Sequence, residues 1–172
     1  MRLFISIQFN DEIKEVLAEI QKEMKKKGIH GHYTDPANLH LTLAFIGEYQ
    51  EYQDPEDILD IIDEIEFEPF DITLDHIGMF DQGIVWCGIK DDGSSAWIAS
   101  QLRHKLAEKR IPFDRKKFSA HITLVRKAEW KGIFPMIEVP ETTMETERIS
   151  LMRSDRTKHA MVYTEIGSED EE

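Results

Sequence analysis

Hydrophobic positions along the chain alternate between a period near two and a period near 3.6, and each change of period marks an element. Leu3 to Phe9 is a short apolar run rich in β-formers, closed by Asn10-Asp11, and predicts a strand. Ile13, Val16, Leu17, Ile20 and Met24 then fall on one helical stripe, with Asn10 or Asp11 as N-cap and Gly28 ending the helix after about Lys27. A polar loop containing His30-Gly31-His32 is expected up to Asp35-Pro36, followed by a strand from Leu39 to Ile46 that stops at Gly47. Residues 55–65 predict a second helix with Pro55 in its first turn. Phe70 to Leu74 and Gly83 to Lys90 read as strands. Ser94 or Ser95 is the expected cap of a third helix running to about Arg110, with Trp97, Ile98, Leu102 and Leu106 facing inward. A loop from Ile111 to Ser119 leads to a strand from Ala120 to Val125. Weaker strand signals lie at Pro135 to Pro140 and Arg148 to Met152, and a better one at His159 to Ile166.

The order strand, helix, loop, strand occurs twice. A shift of 81 positions lays Leu3-Phe4-Ile5 on Ile84-Val85-Trp86, His40 on His121, Thr42 on Thr123 and Leu43 on Leu124. The period is too long for a solenoid repeat, so one module used twice is the simpler reading. Two copies facing each other would set equivalent strands across a shared groove. The expectation is one α+β domain over 1–167, bilobal, built of pseudo-repeats at about 1–47 and 83–128 with mostly antiparallel sheets, and a frayed acidic tail at 168–172.

Composition narrows the class. The chain has 172 residues, 41% hydrophobic and 32% charged, enough apolar content for a core and too much for a disordered chain. No apolar run approaches bilayer-spanning length, and Met1 to Ile5 reads as an opening strand rather than an export signal. With Cys87 alone, neither an internal disulfide nor a cysteine metal cluster can form, which points to a reducing, cytoplasmic setting. The net charge of −13 argues against a long polyanionic partner, yet it is unevenly spread. Residues 48–75 hold twelve acids and no Lys or Arg, whereas residues 101–131 carry ten basic and three acidic residues. That basic stretch is expected to hold a small anionic group, or else to be a solvated helix face and loop.

Chemistry concentrates in His40-Leu41-Thr42-Leu43 and His121-Ile122-Thr123-Leu124. Residues two apart on a strand share a face about 6.5–7 Å apart. Each strand therefore offers an imidazole and a hydroxyl on one side and anchors itself through leucine and isoleucine on the other. One such strand is ordinary packing; two in matching positions of a repeat point to a shared cavity. The set suits phosphodiester chemistry without a metal. One neutral imidazole takes a proton from the attacking oxygen, one charged imidazole returns a proton to the departing oxygen, and the hydroxyls donate to the non-bridging oxygens. Arg126, at the end of the second strand, adds a fixed positive charge. A zinc site lacks a third ligand beside His40 and His121, and His30 and His32 read as a solvated pair. His76, His104 and His159 have no sequence partner. A Gly-x-Ser-x-Gly elbow and a glycine-rich phosphate loop are both missing from the sequence.

Over nearly its whole length the chain resembles the two-histidine (2H) phosphoesterases, and within them the RNA 2′,3′-cyclic phosphodiesterases, also called 2′-5′ RNA ligases. The resemblance is carried by Arg2 to Ile5, by Asn38 to Gly47, by Phe80 with Val85-Trp86, by Ser119 to Arg126, and by Ile149 to Ser154 followed by Tyr163. It implies hydrolysis of RNA 2′,3′-cyclic phosphate ends to 2′-phosphomonoesters with no metal or nucleotide cofactor. His40 is then the proton donor, His121 the proton acceptor, and Thr42, Thr123 and Arg126 the phosphate-binding residues. It further implies RNA ends or short oligonucleotides as partners, a monomer, and in some relatives reversal of the chemistry to join ends through a 2′-5′ bond. Rival readings are a cyclic phosphodiesterase for a small nucleotide (ADP-ribose cyclic phosphate or 2′-5′ oligoadenylate), a non-catalytic module that binds RNA ends, and a structural protein with incidental histidines. Tyr33 and Phe45 are aromatics near the motifs on which a base could stack, with core packing as the alternative for Phe45.

Overall fold

The computed structural model describes residues 1–50 and 52–167, so the expected tail at 168–172 lies outside the described residues. The chain order is β1 (Arg2–Gln8), α1 (Asp11–Lys26), β2 (His30–Tyr33), β3 (His40–Glu48), α2 (Glu56–Glu64), β4 (Phe70–Phe80), β5 (Ile84–Lys90), α3 (Ser94–Glu108), β6 (His121–Glu129), β7 (Thr143–Thr146), β8 (Ser150–Arg156) and β9 (Met161–Ile166). Two antiparallel sheets result, with strand orders β3-β1-β8-β9 and β2-β6-β5-β4-β7. This is the α+β, two-lobed architecture expected from the sequence.

The local rules explain most boundaries. The Asn10 side chain accepts from the Ile13 N–H at 2.9 Å and starts α1, and Gly28, at φ +88°, supplies the left-handed turn that ends it. Ile13, Leu17, Ile20 and Met24 are buried from that helix, and the apolar residues of β1, β3, β5 and β6 join them in one core.

Each lobe reaches into the other. Helix α1 packs against β6, and α3 packs against β3. Just after β2 the Thr34 N–H donates to the Leu124 carbonyl at 3.0 Å, and in the loop after α3 the Asp114 N–H donates to the Phe45 carbonyl at 2.8 Å. Gln21, buried on α1, donates to both the Thr34 and Leu124 carbonyls at 2.8 and 3.0 Å. The exchange fixes β3 and β6 side by side and leaves their polar faces on a common space.

Several expectations need correction. The polar stretch around His30 is strand β2, formed because the exposed edge of β6 offers it a ladder; Gly31 permits this, since a Cβ there would stand 2.7 Å from the Val125 side chain and 2.8 Å from the Arg126 carbonyl. Strand β4 runs on from Leu74 to Phe80, where pairing with β5 overrides the weak local signal of Asp75-His76. Residues 135–140 form no strand; their prolines lack donors, and β7 forms just after them. Helix α3 is capped from outside, with Asp91 and Asp92 accepting from the N–H groups of Gly93, Ser94 and Ser95, rather than by its serines. Trp97 is 48% exposed and does not face the core; Ser95, Ile98, Ala99, Leu102 and Leu106 do.

Candidate active site

Strands β3 and β6 carry the two motifs, and their burial alternates in the same way. His40 and Thr42 are half-buried on the cleft side while Leu41 and Leu43 are buried behind them; His121 and Thr123 repeat this with Ile122 and Leu124. In both strands the alternation then breaks, and two successive residues are buried, Leu43-Ala44 and Leu124-Val125. The pairing gives the cause. Ser6 faces Thr42 and Ile5 faces Ala44, so Leu43 is the extra residue of a β-bulge; Trp86 faces Thr123 and Val85 faces Val125, so Leu124 is its counterpart. Bulges of this kind re-aim the side chains beside them. The carbonyl of bulged Leu124 is the one held by Gln21 and Thr34, which makes Gln21 a positioning residue. Its polar type on an otherwise apolar helical stripe was the available signal, and sequence reasoning missed it.

His40, Thr42, His121, Thr123 and Arg126 all line one cleft of about 830 Å³. The Nδ1–H of His40 donates to the Asn38 carbonyl at 2.7 Å, and that of His121 donates to the Ser119 carbonyl at 2.7 Å. A carbonyl can only accept, so in each ring Nδ1 keeps its hydrogen and Nε2 is the atom left to gain or lose a proton. The Thr42 hydroxyl donates to His40 Nε2 at 2.8 Å. Each ring is also held by aromatics. Phe4 and Tyr163 lie 4.8 and 5.4 Å from His40 between ring centres, and Phe80 and Trp86 lie 4.9 and 6.4 Å from His121. Tyr163 reaches this position from β9, far away in sequence.

Burial holds both imidazoles below their ordinary range. For His40, desolvation dominates and the carbonyl of Asn38 only partly opposes it; the charges of Arg126, His121 and Lys14 press in the same direction, to about 4. His121 is also lowered, again first by desolvation and then by Arg126, against the pull of the Ser119 carbonyl. The Arg126 charge thus presses on both rings. Burial disfavours the charged form of both imidazoles in the free protein, and an anion in the cleft would favour it.

The remaining candidates separate. His32, Tyr33 and His159 line the cleft. His76 Nδ1 lies 3.0 Å from Asp75, and His104 Nε2 lies 2.8 Å from Glu108 one helical turn on. Phe45 does not line the cleft; the Arg2 guanidinium sits over its ring at 5.3 Å. Of the ten Lys and Arg residues in the basic stretch 101–131, only Arg126 lines the cleft. Arg103 instead donates to the carbonyls of Asp114 and Lys116, and Lys105 pairs with Glu64. Among the described residues, no group of three or more His, Cys, Asp or Glu side chains converges as a metal site.

Trp86, which helps to hold His121, lies across Gly78 on the neighbouring strand, where any Cβ would run into the indole. Gly78→Ala is therefore expected to lower stability by about 1–3 kcal/mol through overpacking and to shift tryptophan emission. Urea denaturation followed by fluorescence checks this, and an unchanged midpoint and spectrum would contradict it.

The two sheets thus bring two His-x-Thr strands onto one cleft. The chain belongs to the LigT-like phosphoesterase family. A family profile described as "LigT like Phosphoesterase" matches residues 7–86, which take in the first motif and end before the second. An RNA 2′,3′-cyclic phosphodiesterase of Archaeoglobus fulgidus is 36% identical over 132 residues, 73% of this chain and 72% of that protein. One from Thermotoga maritima is 27% identical over 172 residues, covering 95% and 91%. The crystal structure of E. coli LigT complexed with 3′-AMP superposes with a TM-score of 0.84 at 26% identity, covering 96% of this chain and 94% of that one. No helix of the described residues is long and apolar enough to cross a membrane.

Proposed function

We propose that the protein hydrolyses RNA 2′,3′-cyclic phosphate ends to 2′-phosphomonoesters by acid-base catalysis between His40 and His121. The observation that carries this reading is the matched pair of rings lining one cleft, each fixed at Nδ1 by a backbone carbonyl two residues earlier so that Nε2 is the proton-exchanging atom of each. In the forward step a water oxygen bonds to phosphorus while its proton passes to His121 Nε2. The bond from phosphorus to the 3′-oxygen breaks, and the proton on His40 Nε2 goes to that oxygen. The products are a 2′-phosphate and a 3′-hydroxyl. Once His40 Nε2 carries a proton it no longer accepts from the Thr42 hydroxyl, so Thr42 joins Thr123 in donating to the non-bridging oxygens, and Arg126 balances their charge. With a 5′-hydroxyl in place of water as the nucleophile, the same displacement of the 3′-oxygen joins RNA ends through a 2′-5′ bond, and its reverse cleaves that bond. Residues 1–167 work as one domain of two modules, because neither module alone holds both imidazoles. The acting species is a monomer, since one chain completes the cleft, and its setting is the cytoplasm, which suits a lone buried cysteine.

Incubation with an oligonucleotide ending in a 2′,3′-cyclic phosphate, in the presence of a chelator, is expected to yield only the 2′-phosphate. A 3′-phosphate product, or activity restored by added metal, would contradict the mechanism.

The lowered imidazoles also set the pH dependence. A phosphodiester keeps one negative charge across the range, so only the enzyme titrates. When one group must be charged and the other neutral, the profile of kcat/KM is a bell centred between the two free-enzyme values, whichever ring plays which part. Since burial lowers both below their ordinary value of 6.5, with His40 at about 4, that bell is expected to centre below pH 6.5. The bound anion favours the imidazolium, so the kcat profile is displaced to higher pH. Rates measured from pH 4 to 9 check both points; a kcat/KM bell centred above pH 7 would contradict the assignment.

A further inference from the structure

The cleft extends past the motif side chains. At about 830 Å³ it lies toward the upper end of the roughly 300–1,000 Å³ range of single-ligand sites. Its outer walls are α1 with β2 on one side and the turn between β8 and β9 on the other. Their charge opposes that of the chain. Lys22, Lys25, Arg126, Arg156 and Lys158 line the cleft against one carboxylate, Asp35, in a sequence with 34 acids and 21 Lys or Arg. A single cyclic phosphate carries one negative charge, which Arg126 already meets, so cations on both outer walls are in excess if the ligand ends there.

Those cations are also positioned. The Lys25 ammonium sits 4.6 Å from the centre of the Tyr33 ring, and that ring is fixed by its hydroxyl donating to the Ile29 carbonyl at 2.7 Å. Arg156 and Lys158 flank Thr157, whose N–H and hydroxyl both donate to the Ala160 carbonyl, at 2.8 and 2.9 Å, and close the turn. Lys22 is paired with Glu19 at 3.0 Å, but among the described residues Lys25, Arg156 and Lys158 have no carboxylate within ion-pair distance.

We propose that Lys25 on one wall and Arg156 with Lys158 on the other hold the backbone phosphates next to the reacting one, so that the site takes an RNA end of two or more nucleotides in preference to a cyclic mononucleotide. The proposal rests on the hydrolytic reading above. Beyond the cleft the surface is dominated by acids, among them the run at 48–75, so the gain is confined to the few nucleotides nearest the end.

The test compares kcat/KM on adenosine 2′,3′-cyclic phosphate with that on a trinucleotide bearing the same end, for wild type, Lys25→Gln and the double variant Arg156→Gln/Lys158→Gln, at two salt concentrations. Wild type is expected to prefer the trinucleotide at least tenfold. Each variant is expected to reduce that preference at least threefold, while Lys25→Arg keeps it. The salt dependence on the trinucleotide should become shallower by about 0.7 in log-log slope per phosphate contact removed. Equal wild-type values on the two substrates, or variants that lower both in proportion, would overturn the subsite and leave the hydrolytic function standing. Hydrolysis of neither substrate would overturn both.

Discussion

Replacing His40 or His121 by alanine is expected to lower turnover on a 2′,3′-cyclic phosphate end by about 10²–10⁴-fold, the usual worth of a positioned proton-transfer group. The fold is expected to survive. Both rings are only half-buried on the cleft side, and the core side of each strand is held by Leu41 and Leu43 or by Ile122 and Leu124. Because the two act in one transition state, the double variant should fall little below either single one. The two roles can be separated with a nitrophenyl phosphodiester, whose departing oxygen needs no proton. That substrate is expected to restore rate to the His40 variant but not to the His121 variant. Wild-type turnover in either alanine variant, with circular dichroism unchanged, would remove the mechanism.

Thr42→Val and Thr123→Val are expected to cost about 10²–10³-fold in kcat each, the loss typical of removing one donor to a developing oxyanion. Valine keeps the branched shape that a strand accepts, so packing is preserved and only the hydroxyl is lost. The effect should fall on kcat rather than KM, because charge on the non-bridging oxygens grows toward the transition state. Steady-state kinetics beside urea denaturation separates this from a folding defect. A change confined to KM would mean that the hydroxyls merely bind the ground state.

The meeting of the two motifs in one cleft was legible in the sequence because each combines polar residues two apart with apolar residues between them, and because the motif recurs 81 positions later. The shift also reproduces the strand bounds, since β3 and β6 begin at His40 and His121 and end at Glu48 and Glu129. The bulges at Leu43 and Leu124 were not legible, because a bulge is defined by the partner strand and leaves only two adjacent apolar residues as a trace. Strand β2 was missed for a related reason: His30-Gly31-His32-Tyr33 has no strand pattern of its own and takes its form from the edge of β6. Charge along the sequence does not map directly onto the cleft. Of the ten Lys and Arg side chains in 101–131 only Arg126 lines the cleft, whereas Lys25, Arg156 and Lys158 come from segments that are neutral or acidic overall. Tyr163 and Phe4 meet at His40 only through the pairing of β1 with β8 and of β8 with β9.

Central to the proposed function is a single phosphate in contact with both imidazoles at Nε2. Nitrogen NMR of histidine-labelled protein, titrated with adenosine 2′-monophosphate, tests it most directly. The Nε2 signals of His40 and His121 are expected to shift together with one dissociation constant, and both rings to become easier to protonate in the complex. A titration that moves only one of the two, or that moves them with different affinities, would contradict the account.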